Sequence, residues 1–396
     1  MKRTRYVPSG IRPAAMFGLA AISIAYAAPP AHATPQFART YNTSCTSCHS
    51  VPPQLNINGM AFLARGYRMP AALEQDRIAT APLAVWVTAL QEEQISRDFS
   101  EGFLSKVELI SGGPIGDSLS YFVEWRIGSL QTRSDGTLRD RSGRFEDAFL
   151  TWQIDDRSAL TIGQYRALNQ VDVSRRLSVS TPALFGTSLA GDPSSNKRIE
   201  SLRAFSPAGR SPGFTYQFQS IEGESPSDGL FHFVTLPFPG ELSIPLTTEA
   251  RDEASFELEG SPKGVFLETF YREGLNSIGL HGFVDDDRWL MTGLGTLNID
   301  ALQITGGIGV DEQEGAATRV RSSLQLEYLL PHNDHDRIRA AVGFRVEHIT
   351  KSGRATAYIP YFTMSGPNES YTFLLNLEYR GQEDNERFVA GFSVLF

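Results

Sequence analysis

The chain predicts an all-β fold, a transmembrane antiparallel β-barrel of about 14–16 strands whose lumen is plugged by a short N-terminal segment of different character. Three observations carry this. From about Leu83 onward, period-two alternation of apolar and polar residues recurs between turn clusters, as in LSYFVEWRIGSL over 119–130 and FEDAFLTWQI over 145–154. Tyr, Trp and Phe fall repeatedly near the ends of these runs, where a membrane barrel carries its girdles. The chain closes on Phe388, Ala390, Phe392, Val394 and Phe396, an alternating strand with a terminal aromatic. A soluble sandwich or β-helix also alternates on one face. An export signal and the unbroken strand series favour the membrane.

The first element, 1–33, is a signal peptide. Lys2, Arg3, Arg5 and Arg12 precede an alanine-rich apolar run from Ala14 to Ala28, and Ala31-His32-Ala33 supplies small residues for cleavage before Thr34. The run is roughly 15 residues, short of the ~20 that a spanning helix needs. Removing these four positive charges takes the formal charge from −9 to −13. Such acidity speaks against nucleic acid as a partner and suits small cations.

The second element, 34–81, holds both cysteines of the chain in Cys45-Thr46-Ser47-Cys48-His49. Two thiols separated by two residues can each add across a haem vinyl group, and the adjacent histidine can bind the iron, which is the c-type attachment pattern. Cys45 and Cys48 are therefore thioether anchors and His49 the proximal ligand of one covalent haem c. Zinc would need two further ligands, and the segment before Ala81 has no second His or Cys outside the motif. A redox CxxC pair would sit in a βαβ context that is missing. The distal ligand stays open between Met69, Met60, a barrel histidine, another group and no ligand. Methionine would raise the potential, although either thioether could simply fill space. Asn58 or a neighbour should cap a short helix carrying Met60 and Leu63, ended by Gly66. Arg39 and Arg65 could pair with haem propionates. Fewer than 50 residues cannot enclose a haem unaided, so the barrel must supply the rest of its shelter.

The third element, 82–396, is the barrel. Further runs read as strands at 158–168, 213–222, 264–272, 277–284, 289–298, 301–310, 320–330, 337–349, 355–364, 371–379 and 388–396, with weaker ones around 198–205 and 231–246. Asp155-Asp156 makes a hairpin turn. The clusters at Pro331–Asp336 (His332, Asp334, His335) and Asp285–Asp287 have metal-ligating side chains, but read better as polar turns.

Pro35-Gln36-Phe37-Ala38-Arg39, Cys45 to His49, Leu55-Asn56-x-x-Gly59-x-x-Phe62 and Gly66-Tyr67 together resemble the fused cytochrome–porins of bacterial outer membranes, among them the iron oxidases of iron-oxidising bacteria. The C-terminal strand likewise resembles the signature read by the outer-membrane assembly machinery. The resemblance implies a cell outer-membrane protein set in lipid, taking electrons from extracellular Fe(II) through a single haem to a periplasmic c-type cytochrome, an iron:cytochrome oxidoreductase type of electron transfer. Two other functions fit the same features: a porin with a structural haem plug, and a conduit for a different extracellular donor or acceptor.

Overall fold

A computed structural model describes residues 36–41, 43–69, 82–95, 99–132, 138–140, 142–173, 175–185, 207–238, 262, 264–314, 317–332, 338–350, 354–367, 372–382 and 386–395. The expected signal peptide, the terminal Phe396 and the weak strand around 198–205 lie outside the described residues.

Sixteen antiparallel strands close into a barrel. In chain order they are β1 (Leu83–Gln94), β2 (Phe99–Ile115), β3 (Leu119–Gly128), β6 (Arg144–Gln153), β7 (Ser158–Arg166), β8 (Arg210–Glu222), β9 (Gly229–Pro237), β10 (Val265–Glu273), β11 (Asn276–Val284), β12 (Arg288–Ile299), β13 (Leu302–Gln313), β14 (Arg319–Leu329), β15 (Arg339–Thr350), β16 (Arg354–Pro367), β17 (Thr372–Arg380) and β18 (Arg387–Leu395). A small hairpin, β4 (Leu130–Thr132) and β5 (Leu138–Asp140), stands apart from the barrel. Each barrel strand pairs with its sequence neighbours, and β1 closes the circle on β18 with Trp86 opposite Leu395. This is an up-and-down barrel with no free edge, so every strand satisfies its backbone groups on both sides.

The faces are reversed relative to a soluble barrel. Inward positions carry Glu108, Glu124, Asp147, Glu268, Arg272, Asp311, Arg321, Arg345 and Glu347, all buried. Outward positions carry exposed apolar residues such as Leu267, Ile278, Leu280, Met291, Ile308 and Leu324. Exposed Trp152, Tyr216, Tyr271 and Tyr328 lie towards one end of their strands, and Trp289 and Tyr358 towards the other. An apolar outer band between aromatic girdles is what lipid selects. The fold is that of an outer-membrane barrel. No described helix is long and apolar enough to cross a membrane.

The connections sort by length. At the end where β1 begins and β18 finishes they are short, as at 116–118, 154–157, 274–275 and 300–301. At the opposite end run the long 129–143, 167–209 and 238–264 connections. Short turns mark the periplasmic rim of such barrels and long loops the external one. Asp155 shapes one periplasmic turn as expected, its Oδ1 accepting from the N–H groups of Arg157 and Ser158 at 2.8 Å.

The outward face gives a depth test. Leu280, 60% exposed at mid-strand, should cost about 2–4 kcal/mol when replaced by Arg. Ile299, at the periplasmic end of β12, should cost about 0–1 kcal/mol for the same change. Urea titration of folding into lipid vesicles measures both, and equal costs would contradict the assigned bilayer position.

Candidate functional site

Residues 36–69 sit inside the periplasmic mouth of the barrel. The helix Gln36–Thr40 opens the segment, Cys45–Ser47 forms a 3-10 turn, and a second helix spans Ile57–Ala64. The cap of this helix is Asn56, within the expected position at Asn58 or a neighbour. Its Oδ1 accepts from the N–H groups of Asn58 (3.0 Å) and Gly59 (3.1 Å). Its Nδ2 donates to the carbonyls of Thr46 and Ser47, both at 3.2 Å, so one side chain starts the helix and clamps the cysteine turn to it. Gly59 is required by close approach: a Cβ there would lie 2.2 Å from the Cys48 carbonyl oxygen. Gly66 ends the helix at a φ of +63°, a left-handed conformation that glycine adopts without strain.

Aromatic packing fixes the segment to the wall. Tyr67 stacks between Phe37, at 5.6 Å between centroids, and the inward-facing Phe122 of β3, at 5.0 Å. Phe62 meets Phe37 and Tyr67 edge-on. Polar contacts hold the rim: Arg68 donates to the carbonyls of Gly116 and Leu119, and Gln54 to Gln303 (3.0 Å) and Glu327 (3.1 Å). The lumen thus supplies the shelter that the segment lacks by itself.

Both cysteines are free thiols, partly buried, and the Cys45 Sγ lies 3.4 Å from the Thr372 hydroxyl on β17. Burial raises the pKa of each, which keeps them neutral and unlike the activated thiols of redox CxxC pairs. His49 Nδ1 lies 3.0 Å from the Pro53 carbonyl oxygen. A carbonyl only accepts, so Nδ1 carries the proton and Nε2 holds the lone pair, the tautomer that an iron ligand needs. Burial, and then the charge of Arg175, push the imidazole down to about 4, so it is neutral across the physiological range. Among the described residues no three His, Cys, Asp or Glu side chains converge on a point that could hold a bare ion. Two neutral thiols beside a neutral imidazole with its lone pair on Nε2 form a donor set that fits a covalently attached haem.

The two candidate distal thioethers differ in setting. Met69 packs against the cluster of Tyr41, Phe62, Tyr67, Ala84, Ile110 and Phe122. Met60 is buried on the second helix, next to the glycine that touches Cys48. Arg39 sits at the rim, its guanidinium on the Leu83 carbonyl. The Asp285–Asp287 cluster is a turn on the external rim, where Asp285 accepts from the Asp287 N–H and faces Arg288. His332 lies on the periplasmic side, with Arg339 as a partner, while Asp334 and His335 lie outside the described residues.

A second insert was not anticipated. After β7 the chain turns inward, and residues 167–185 cross the lumen. Glu268 accepts from the N–H groups of Asn169 (2.9 Å) and Gln170 (2.8 Å), Glu378 from Ser180 (3.0 Å) and Glu347 from Ala183 (2.8 Å). The Leu177 carbonyl accepts from Thr363 and Asn376. This insert meets the N-terminal segment directly. Leu177 shares a buried cluster with Val51, and the Arg175 guanidinium hydrogen-bonds the Tyr67 hydroxyl and pairs with Asp172 at 2.5 Å. The inner wall towards the outside carries a balanced network in which Lys106 pairs with Glu108 (2.5 Å) and Arg210 with Glu124 and Asp147 (both 3.2 Å).

No protein-family model and no curated protein matches the chain. Solved structures with a similar fold include an anion-selective porin from Comamonas acidovorans (10% identity over 79% of this chain and 98% of that one, TM-score 0.49). OmpT of Vibrio cholerae aligns at 9% identity over 81% of this chain and 99% of that one, TM-score 0.45. OprB of Pseudomonas putida in its low-pH form aligns at 12% identity over 79% and 91%, TM-score 0.44. At such identities the likeness is one of fold alone.

Proposed function

We propose that this chain is an outer-membrane electron conduit, with extracellular Fe(II) as donor and a periplasmic c-type cytochrome as acceptor. Haem c, when bound, supplies a one-electron centre whose ferric and ferrous states are both stable. Cys45 and Cys48 would hold it through thioether sulfurs and His49 would ligate its iron, with Met60 or Met69 as candidate further ligand. The observation that carries the reading is the placement of the cysteine–histidine turn: it lies inside the lumen at the periplasmic mouth, with Cys45 against β17. A centre held there is screened by the barrel wall and open to a soluble carrier. Outer-sphere transfer needs no acid–base machinery from the protein, which only has to position the group and exclude competing reactions.

The rival reading is a porin for solutes, and the inward 167–185 insert argues against a wide pore. The discriminating measurement is reduction of the purified, detergent-held protein by ferrous iron in a stopped-flow spectrometer. Ferrous iron should reduce the haem within seconds. Reduction by dithionite alone would leave the conduit without its proposed donor.

A further inference from the structure

The inward insert and the end of β7 bury two guanidinium groups, each with an N–H that has no hydrogen-bond partner among the described residues. Arg176 donates from Nη1 to the Val173 carbonyl (2.5 Å) and from Nη2 to the Val179 carbonyl (2.7 Å). Its Nε is shut off from solvent and has no hydrogen-bond partner among the described residues. Arg166, at the end of β7, donates from Nε to the Ala208 carbonyl (3.0 Å), and its Nη1 is buried with no partner among the described residues. A buried N–H without an acceptor is costly, more so on a cation. Burial, and then the like charges of Arg166 and Arg345, push Arg176 down to about 9. Glu124, Glu146 and Asp147 stand near Arg166 and Glu378 near Arg176, but the first three are engaged by Arg210 and none of the four reaches the unpaired N–H groups. The two unpaired N–H groups call for a further acceptor beyond these carboxylates.

The haem segment points to one. On the reading proposed above, the vinyl edge of the porphyrin is tied to Cys45 and Cys48 at the periplasmic mouth. The propionates of such a haem lie on the edge opposite the vinyl groups, and the insert is a charged element that packs against this segment. Arg175, next to Arg176, already reaches the haem segment through Tyr67. We infer that Arg166 and Arg176, with their unpaired buried N–H groups, are the docking cations for the haem propionates, and that Arg175, held by Asp172 and Tyr67, is a positioning residue locking the insert onto the haem segment. Guanidinium groups match carboxylates as forks, which suits this role better than lysine would. The expected propionate partners Arg39 and Arg65 are thereby replaced by residues more than a hundred positions further along the chain. This inference rests on the haem reading.

The test uses the full-length, membrane-extracted protein and two separate variants, Arg176→Gln and Arg166→Gln, read by spectroelectrochemical titration across pH. Both should keep covalent haem. Losing a cation that pairs with a propionate favours the ferric state, so the midpoint potential should fall by about tenfold in the one-electron equilibrium, ~59 mV. The freed propionate should also titrate at higher pH, giving the variants a pH-dependent potential where the wild type is flat. Haem present with an unchanged potential and pH profile in both variants would overturn this inference alone. A wild-type protein without covalent haem would overturn the haem reading and this inference with it. An arginine bound instead to a diffusible anion would show as a wild-type potential that shifts with added acetate or phosphate, and that too would overturn it.

Discussion

Replacing Cys45 and Cys48 together by alanine should yield a folded barrel with no covalent haem, whereas the wild type should retain haem through denaturation and acidic solvent extraction. The two halves of this result separate because fold and cofactor depend on different residues. Barrel closure depends on strand pairing, ending in the β1–β18 register from Trp86–Leu395 to Gln94–Arg387, and no cysteine takes part. Each thiol is only partly buried, so its loss should cost the barrel about 1 kcal/mol or less. The haem yield should fall to background in the double variant and only partly in each single one. His49→Ala should keep the thioether bonds and lose the proximal ligand, which a changed ferric spectrum would report. Absorbance of the denatured protein in alkaline pyridine, beside the heat-dependent gel mobility of the barrel, measures both quantities. Wild-type protein that folds and carries no haem in a host competent for c-type attachment would refute the assignment of the motif.

The position of the motif narrows the route that an electron can take. Thr372 begins β17 at the periplasmic rim, and Gln303 and Glu327 lie in the same half of the barrel. His49 therefore lies near the periplasmic rim, where the proposed carrier would approach, with the described insert residues between it and the external rim. A donor confined to the outside has to approach through the external half of the lumen, along the wall that carries Lys106, Glu108, Glu124 and Arg210.

Much of this arrangement is legible in the sequence, for a local reason. A strand with one face to lipid writes its alternation into adjacent residues, so runs such as 119–130 and 277–284 declare themselves. The Cys45–His49 motif stands out in the sequence because the proposed thioether attachment and iron ligation would depend only on local spacing. The need for shelter follows from the shortness of the segment, and the lumen answers it. The insert at 167–185 was hidden because its anchors, Glu268, Glu347 and Glu378, lie about a hundred to two hundred residues away and look like ordinary polar positions of alternating strands. Arg175 and Arg176 were hidden with it. The cap is legible only to within a residue or two, because Asn56 and Asn58 are equally suited to the role. Only the carbonyls of Thr46 and Ser47, reached by the Asn56 amide, decide between them.

Arg345 should prove the residue on which the insert depends most. It is fully buried, its Nε 2.9 Å from Glu347, its Nη1 donating to Ser178 (2.9 Å) and Gln325 (3.3 Å), and its Nη2 to Ser180 (2.6 Å). Glu347 in turn accepts from the Ala183 N–H at 2.8 Å, so one ion pair on β15 grips the insert at three points. Arg345→Ala removes the cation and leaves the two serines without a donor. Glu347 keeps Arg380 at 3.4 Å as a partial replacement. Removing one member of a buried pair costs about 3–5 kcal/mol, and lumen water together with Arg380 should hold the loss to about 3 kcal/mol here. The barrel should survive, since the backbone pairing of β15 with β14 and β16 does not involve this side chain. The insert should not stay in place. Limited proteolysis from the external side should then cut within 167–185, where the wild type resists, and single-channel conductance in planar bilayers should rise. Arg345→Lys keeps the charge without the fork, so it should lie between the two. Unchanged proteolysis and conductance in Arg345→Ala would mean that the carboxylates of Glu268 and Glu378 hold the insert without help, and that Arg345 serves only the wall.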